Sequence, residues 1–360
     1  MLVCMPLAPP AHLSLTRVRA QFTGGRDYLA ACTTGLPTRG TQHAITAELA
    51  ASAAGRPDPA SASASVEHSR AHFARLVGTT PDRIAIGSQA SVFAGLVATA
   101  LPDGAEVLCA EGDFSSIVLP FVHAGRGIRV REVPLDDLAT AITPATALVS
   151  FSIVQSATGE VVDAAAIAAA ARRAGALTLC DATQAIGWMP VAAPAFDAVI
   201  CHAYKWLCAP RGVAFAALSE RIAARMRPVF AGWYSGENPW ASCYGAEIDQ
   251  ATCARRFDVS PAWQAFVGAE PALEMFADAD ADALFAHSTS LAAAFRARLG
   301  IPEPSRASAI VTWADPEGGD LARLSDAGIT ASGRAGRARV AFHVFNDESD
   351  VDRAARALCK

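Results

Sequence analysis

From Pro81 to Leu218 short apolar runs alternate with stretches of helical spacing, and this alternation limits the possible fold more than any other feature of the chain. The strand-like runs are 84–86, 106–109, 147–151, 177–180, 198–201 and 213–218. Helical patterning occupies 91–101, 164–174 and 220–226. Strands separated by crossover helices pair in parallel, so the pattern predicts an α/β domain with a mainly parallel sheet covered on both faces. Ligands of such sheets gather at the carboxyl ends of the strands.

The flanking regions read differently. The Ala-Ser alternation at 60–65 has the composition of a linker but runs into 66–77, whose apolar spacing suits a helix, so it reads as a helix start. Residues 231–249 hold Gly232, Gly236, Pro239 and Gly245 among Trp233, Tyr234, Trp240 and Tyr244. That composition predicts a long aromatic loop, of the kind that lines sites or interfaces. Beyond Pro261, helical stretches at 262–277 and 281–299, strands at 309–312 and 339–344 and a closing helix at 348–358 make a compact α+β unit.

Composition excludes several functions. A formal net charge of −5, with Lys and Arg scattered, leaves no basic footprint for nucleic acid. Nine cysteines without a CxxC pair read as reduced, buried thiols instead of a disulfide framework or metal site, which favours the cytoplasm. Met1 to Pro6 lacks the charged and apolar regions of a secretory signal. The apolar stretch 161–171 contains Asp163 and is too short to span a membrane.

The candidate chemistry lies at strand ends. Lys205 follows the run 198–201, and Asp181 closes the run 177–180. An amine just past one strand and a carboxylate ending another is what pyridoxal phosphate chemistry needs: the lysine forms an imine with the cofactor aldehyde, and the aspartate keeps the pyridine nitrogen protonated. Taken alone, Asp181 serves equally as a helix cap for the segment from Ala182. Burial of Lys205 in an apolar connection lowers its pKa, as an imine-forming amine requires. Gly87-Ser88-Gln89 sits between strand and helix, where free backbone N–H groups favour a phosphate, although a Gly-Ser cap needs no ligand. Phe114 could stack on a planar ring or belong to the core. Gln184 could hydrogen-bond a ring hydroxyl, and His202 could donate to a phosphate or be structural.

Taken together these residues resemble the class V aminotransferase family of fold-type I pyridoxal phosphate enzymes. The family includes cysteine desulfurases, kynureninases, isopenicillin N epimerases and C–S lyases. The clearest pieces are Val154-Gln155-Ser156-Ala157-Thr158-Gly159-Glu160, Asp181-Ala182-Thr183-Gln184, Tyr204-Lys205-Trp206-Leu207, Pro210-Arg211-Gly212 and Arg339-Val340-Ala341-Phe342. The resemblance implies a large domain with a seven-stranded sheet at 21–255, a smaller α+β domain at 256–360, and an N-terminal segment, 1–20, packed on the latter. It implies catalytic roles for Lys205 and Asp181, cofactor contacts from Ser88, Gln89, Phe114, Ser156, Gln184 and His202, and an α-carboxylate grip by Arg339. Tyr234 is expected to face the substrate, together with the segment from Ala31 to Pro37. A homodimer with sites at its interface is also implied, with the loop from Gly232 to Gly245 and Arg255-Arg256 approaching the site. The ordinary alternative for those two arginines is a solvated surface pair.

The chain departs from the pattern at Gln89, where a threonine is frequent, and at Tyr204, where many members have histidine. No cysteine lies between Gly300 and Leu358, which disfavours a persulfide-forming desulfurase. Tyr-Lys-Trp-Leu and Pro-Arg-Gly resemble the lyase and epimerase branches, so the reaction expected is elimination of a β- or γ-substituent from an amino acid such as a cysteine S-conjugate. Transamination to a 2-oxo acid and epimerisation start from the same proton loss. A catalytically silent binding relative would be expected to lose Lys205 or Asp181, and both are present.

Overall fold

The computed structural model describes residues 12–359. Three helices come first: α1 (Leu15–Arg19), α2 (Arg39–Ala53) and α3 (Pro59–Leu76). Then follow β1 (Ile84–Gly87), α4 (Ala90–Ala98), β2 (Glu106–Ala110), α5 (Leu119–Val122), β3 (Arg129–Val133), β4 (Thr146–Ser152), α6 (Ala164–Ala174), β5 (Leu177–Asp181), β6 (Ala198–His202), β7 (Ala214–Leu218) and α7 (Glu220–Ala223). The last third holds α8 (Trp263–Asp278), α9 (Ala281–Leu299), β8 (Ile310–Ala314), α10 (Gly319–Asp326), β9 (Ser332–Arg334), β10 (Arg337–Ala341) and α11 (Glu348–Leu358).

Seven strands form one sheet in the order β1-β7-β6-β5-β4-β2-β3. Neighbours from β3 to β6 pair in parallel, and β7 alone runs against its neighbours on both sides. The near-continuous apolar runs follow from burial on two faces. Leu179, Ile200 and Ala216 pack with Phe93 and Phe121. The alternate residues Cys180, Val199 and Phe215 pack with Phe73 and Phe266 on the other side. Each fully buried Phe or Leu contributes about 1.5–3 kcal/mol. The Ala-Ser stretch is helical because the Asp58 side chain accepts from the Ser61 amide and Pro59 opens α3. Among the described residues no helix is long and apolar enough to cross a membrane.

The C-terminal unit joins a three-stranded antiparallel sheet, β8-β10-β9, to α9, α10 and α11. Helix α8 packs instead on α2 and α3, where Gly268 leaves room for Ile45 and Pro210 and its carbonyl accepts from the Thr41 hydroxyl at 2.8 Å. A boundary at 256 would separate this helix from the surface it buries. In the segment before Gln21, Arg19 donates to the carbonyls of Val344 and Asn346. Residues 1–11, including the start from Met1 to Pro6, lie outside the described part.

Candidate active site

The carboxyl ends of β4, β5 and β6 open into one cavity. Its lining includes Gln89, Phe114, Ser156, Asp181, Gln184, His202 and Lys205, which the sequence singled out, and also Ser116, Ser152, Val154, Thr183, Tyr204 and Arg211. Parallel strands bring these residues together because each β-α connection leaves the sheet at the same edge.

Asp181 is the last residue of β5 and is 4% exposed. One carboxylate oxygen accepts from the Thr183 amide at 2.8 Å, and the other accepts no hydrogen bond from the described residues. Burial pushes the carboxyl above its usual range, against the opposing pull of Thr183 and Lys205. A carboxyl in that condition is one that a buried N–H cation would return to its charged form.

Lys205 lies in the turn between β6 and β7 and is 6% exposed. Burial lowers its ammonium to about 8, with the Asp181 charge acting in the other direction. Its Nζ stands 5.2 Å from the Phe114 ring centre. Phe114 is held by Asp113, whose carboxylate accepts from the Phe114 amide and from the amide and hydroxyl of Ser152. The backbone around Lys205 is braced from three sides. Gly35 donates to the Tyr204 carbonyl at 2.8 Å and packs so closely on the Lys205 carbonyl that no Cβ would fit. Gly187, at φ +116°, packs equally closely on the Trp206 carbonyl. His343 Nε2–H donates to that same carbonyl at 2.8 Å, while its Nδ1 accepts from the Val344 amide, which sets the neutral tautomer.

Gln184 ties two walls together. Its amide nitrogen donates to the Cys32 carbonyl and to the Ser156 hydroxyl, and its oxygen accepts from Trp206 Nε1. The Ser156 hydroxyl and carbonyl also accept from Arg339, whose guanidinium binds the hydroxyls of Thr33 and Ser332 as well. Arg339 therefore stands behind the wall, not on it, and one Nη2 hydrogen has no protein acceptor among the described residues.

Also on the cavity lining, Gln89 precedes α4, whose first amides are open at a helix N-terminus. His202 Nε2 is buried and has no partner among the described residues. Burial, with Arg211 and Lys205 nearby, lowers this ring to about 4. Arg211 stacks on the Tyr204 ring at 4.6 Å. A helix start, an arginine and an orphaned buried imidazole make a site fit for a phosphate. The free Asp181 oxygen, the unbonded amine of Lys205 and the Phe114 ring fit the rest of pyridoxal phosphate.

Four residues expected at the site lie off the cavity lining: Ser88, Tyr234, Arg255 and Arg339. At the turn into α4, Gln89 and Ala90 line the cavity and Ser88 does not. Tyr234 does not face it either: the side chain is 2% exposed, and its hydroxyl donates to Glu67 within a network that includes Arg70, Arg255 and Asp258. Arg255 is thus neither a free surface cation nor part of this cavity. Asp113, Thr183, Gly35 and Arg211 were assigned no individual role, although Thr183 and Arg211 stand within the quoted motif pieces and Arg211 lies six residues past Lys205.

Comparison with known proteins agrees with this geometry. The family model for class V aminotransferases matches residues 41–306. The chain is 28% identical to isopenicillin N epimerase of Amycolatopsis lactamdurans, over 80% of this chain and 83% of that one. It is 31% identical to kynureninase of Deinococcus radiodurans, over 62% of this chain and 57% of the relative. Its fold is similar to that of a cystine C–S lyase solved with its product cysteine persulfide: TM-score 0.82, 21% identity, 93% of this chain and 98% of the lyase. A variant of that lyase is described with glycine covalently linked to its pyridoxal phosphate. The chain belongs to the class V aminotransferase family of fold-type I, pyridoxal phosphate-dependent enzymes.

Proposed function

We propose that this enzyme is a lyase that eliminates the β-substituent of a cysteine S-conjugate or a related amino acid. The observation that carries the reading is a buried amine, Lys205, set near neutrality in a cavity where no cysteine from the Gly300–Leu358 region can accept sulfur. Sulfur released there leaves as a thiol. The names of relatives and neighbours, cysteine desulfurase and cystine C–S lyase, describe the same bond cleavage in other proteins.

Bound pyridoxal phosphate supplies the electron sink that weakens the bonds at the substrate α-carbon. Asp181 holds the ring nitrogen protonated, and Phe114 covers the ring. Gln89, His202, Arg211 and the start of α4 hold the phosphate. Gln184 and Ser156 would hold the cavity wall beside the ring, and Arg339 braces that wall from behind through Ser156. Lys205 would hold the cofactor through its amine and is the group placed to take the α-proton of the substrate. The Cβ–S bond breaks with its electron pair going to sulfur, which is protonated to the thiol. The released enamine adds water and separates into a 2-oxo acid and ammonium, so water is the co-reactant and no oxidant is consumed.

The test is the visible spectrum of the purified holoenzyme during addition of amino acids and cysteine S-conjugates without any oxo acid. Steady ammonia and oxo-acid release with a persisting cofactor band, absent in Lys205→Ala, supports elimination. A single-turnover loss of the band to the pyridoxamine form means transamination instead. Epimerisation is a second reading, favoured by the breadth of the likeness to isopenicillin N epimerase. It is revealed by solvent deuterium entering recovered substrate of inverted configuration.

A homodimer and a cytoplasmic location belong to the same proposal. Phe230, Trp240 and Tyr244 are exposed, Tyr244 at 92%, which supports a protein contact at this aromatic loop. Free buried thiols at Cys32, Cys109, Cys180, Cys201 and Cys208 support a reducing compartment.

A further inference from the structure

The sheet β8-β10-β9 has two unlike faces. Val311 and Val340 belong to the apolar core under α9 and α11, and Trp313 packs against it. The opposite face meets the cavity wall, where the Thr312 hydroxyl donates to the Thr158 carbonyl and Arg339 reaches Ser156. Register places Arg339 opposite Ser332 and Arg337 opposite Arg334. Cross-strand partners share a face, and residues two apart on a strand do so again. Ser332, Arg334, Arg337 and Arg339 therefore all leave the sheet on the side of the cavity.

The three arginines are not equivalent. Arg339 is enclosed by protein acceptors, and Arg337 is held by the hydroxyl and carbonyl of Thr312. Arg334 is exposed, donates only to the neighbouring Gly333 carbonyl, and pairs with no carboxylate among the described residues. Its charge nevertheless reaches the site, since it is among the charges that lower both the Lys205 amine and the Arg339 guanidinium. Diagonal neighbours across an antiparallel pair are about 7–8 Å apart, which separates Arg334 from Arg339 by roughly a short side chain. Like charges at that spacing repel, and an anion between or beside them relieves the repulsion.

We propose that Arg334 is a specificity-determining residue that takes the distal anionic group of the substrate, so that preferred substrates are amino acids whose side chain ends in a carboxylate. This deepens the elimination reading and rests on it for the choice of conjugate.

The test compares S-(2-carboxyethyl)cysteine with its carboxamide on the holoenzyme, and glutarate with its monoamide by calorimetry. The wild-type enzyme is expected to favour the carboxylate by about tenfold or more in kcat/KM, mainly through KM, and to bind glutarate more tightly than the monoamide. Arg334→Gln is expected to reduce both preferences to about twofold or less. Arg334→Lys should retain part of the preference, and Arg337→Gln all of it. Wild-type preferences surviving in Arg334→Gln, or no preference in the wild-type enzyme, would overturn the assignment. If neither conjugate releases ammonia and oxo acid, the elimination reading fails, and the glutarate titration by itself decides the role of Arg334.

Discussion

Gly35 and Lys205, 170 positions apart in the chain, meet with the glycine packed directly on the lysine carbonyl, while the Gly35 amide donates to the Tyr204 carbonyl. Any side chain at Gly35 would push the lysine backbone away from the cavity. Gly35→Ala is therefore expected to cost about 1–3 kcal/mol of stability and to lower kcat more than a surface variant of equal stability. Thermal unfolding of the variant, measured beside its turnover, checks this. An unchanged kcat would show that the contact is not needed to position the amine.

Asp181 separates activity from stability. Burial disfavours its charged form, so Asp181→Asn removes a cost from the protein without cofactor and should not lower that form's Tm. The same change should reduce turnover by about 10²–10⁴-fold, because a neutral amide does not hold a ring nitrogen protonated. Melting curves without cofactor and turnover with it are the two measurements.

Lys205 titrates at about 8 instead of at its ordinary value near 10.5. Only the neutral amine captures an aldehyde, and its fraction grows as pH rises through the native value. The rate at which the cofactor-free protein combines with pyridoxal phosphate should rise between pH 7 and 9 with a midpoint near 8. A rate still climbing steeply at pH 10 would contradict the burial argument.

His343 is fully buried, and burial lowers its ring to about 4 against the opposing pull of the Trp206 carbonyl. A histidine depressed on folding contributes stability that is present above its unfolded value of 6.5. That contribution is lost as pH falls through about 4, because the unfolded chain takes up the proton first. The loss over this window amounts to about 3 kcal/mol. His343→Gln should flatten the pH dependence of unfolding by urea between pH 6.5 and 4, while lowering stability at pH 7.5.

Tyr234→Phe tests the corrected position of that residue. Loss of its hydrogen bond to Glu67 should cost about 1 kcal/mol, read as a lower unfolding midpoint in urea. Substrate KM should stay within about twofold of wild type, because the hydroxyl lies outside the cavity.

Much of the frame was legible in the chain itself. Strands at 84–87, 106–110, 146–152, 177–181 and 198–202 fall within a residue or two of the apolar runs that mark them. Two kinds of element gave no such signal. β3 is an edge strand reading Arg-Val-Arg-Glu-Val in which no residue is fully buried, and β9 is three residues long. The aromatic loop was misread at Tyr234, because an aromatic-rich loop lines a core as readily as a pocket, and only its neighbours Glu67 and Arg70 decide which.

The order of apolar runs by itself determined a mainly parallel sheet, and with it the placing of Asp181 and Lys205 at strand ends, because periodicity and burial are local properties of the chain. Only the tertiary structure decided that Gly35, Gly187 and His343 brace the Lys205 segment, that Gln89 and not Ser88 lines the cavity, that α8 belongs with α2 and α3, and that Arg334 shares a face with Arg339. Each of these depends on contacts between residues far apart in sequence, and local propensity holds no record of which distant surface completes a buried group or leaves a charge unpaired.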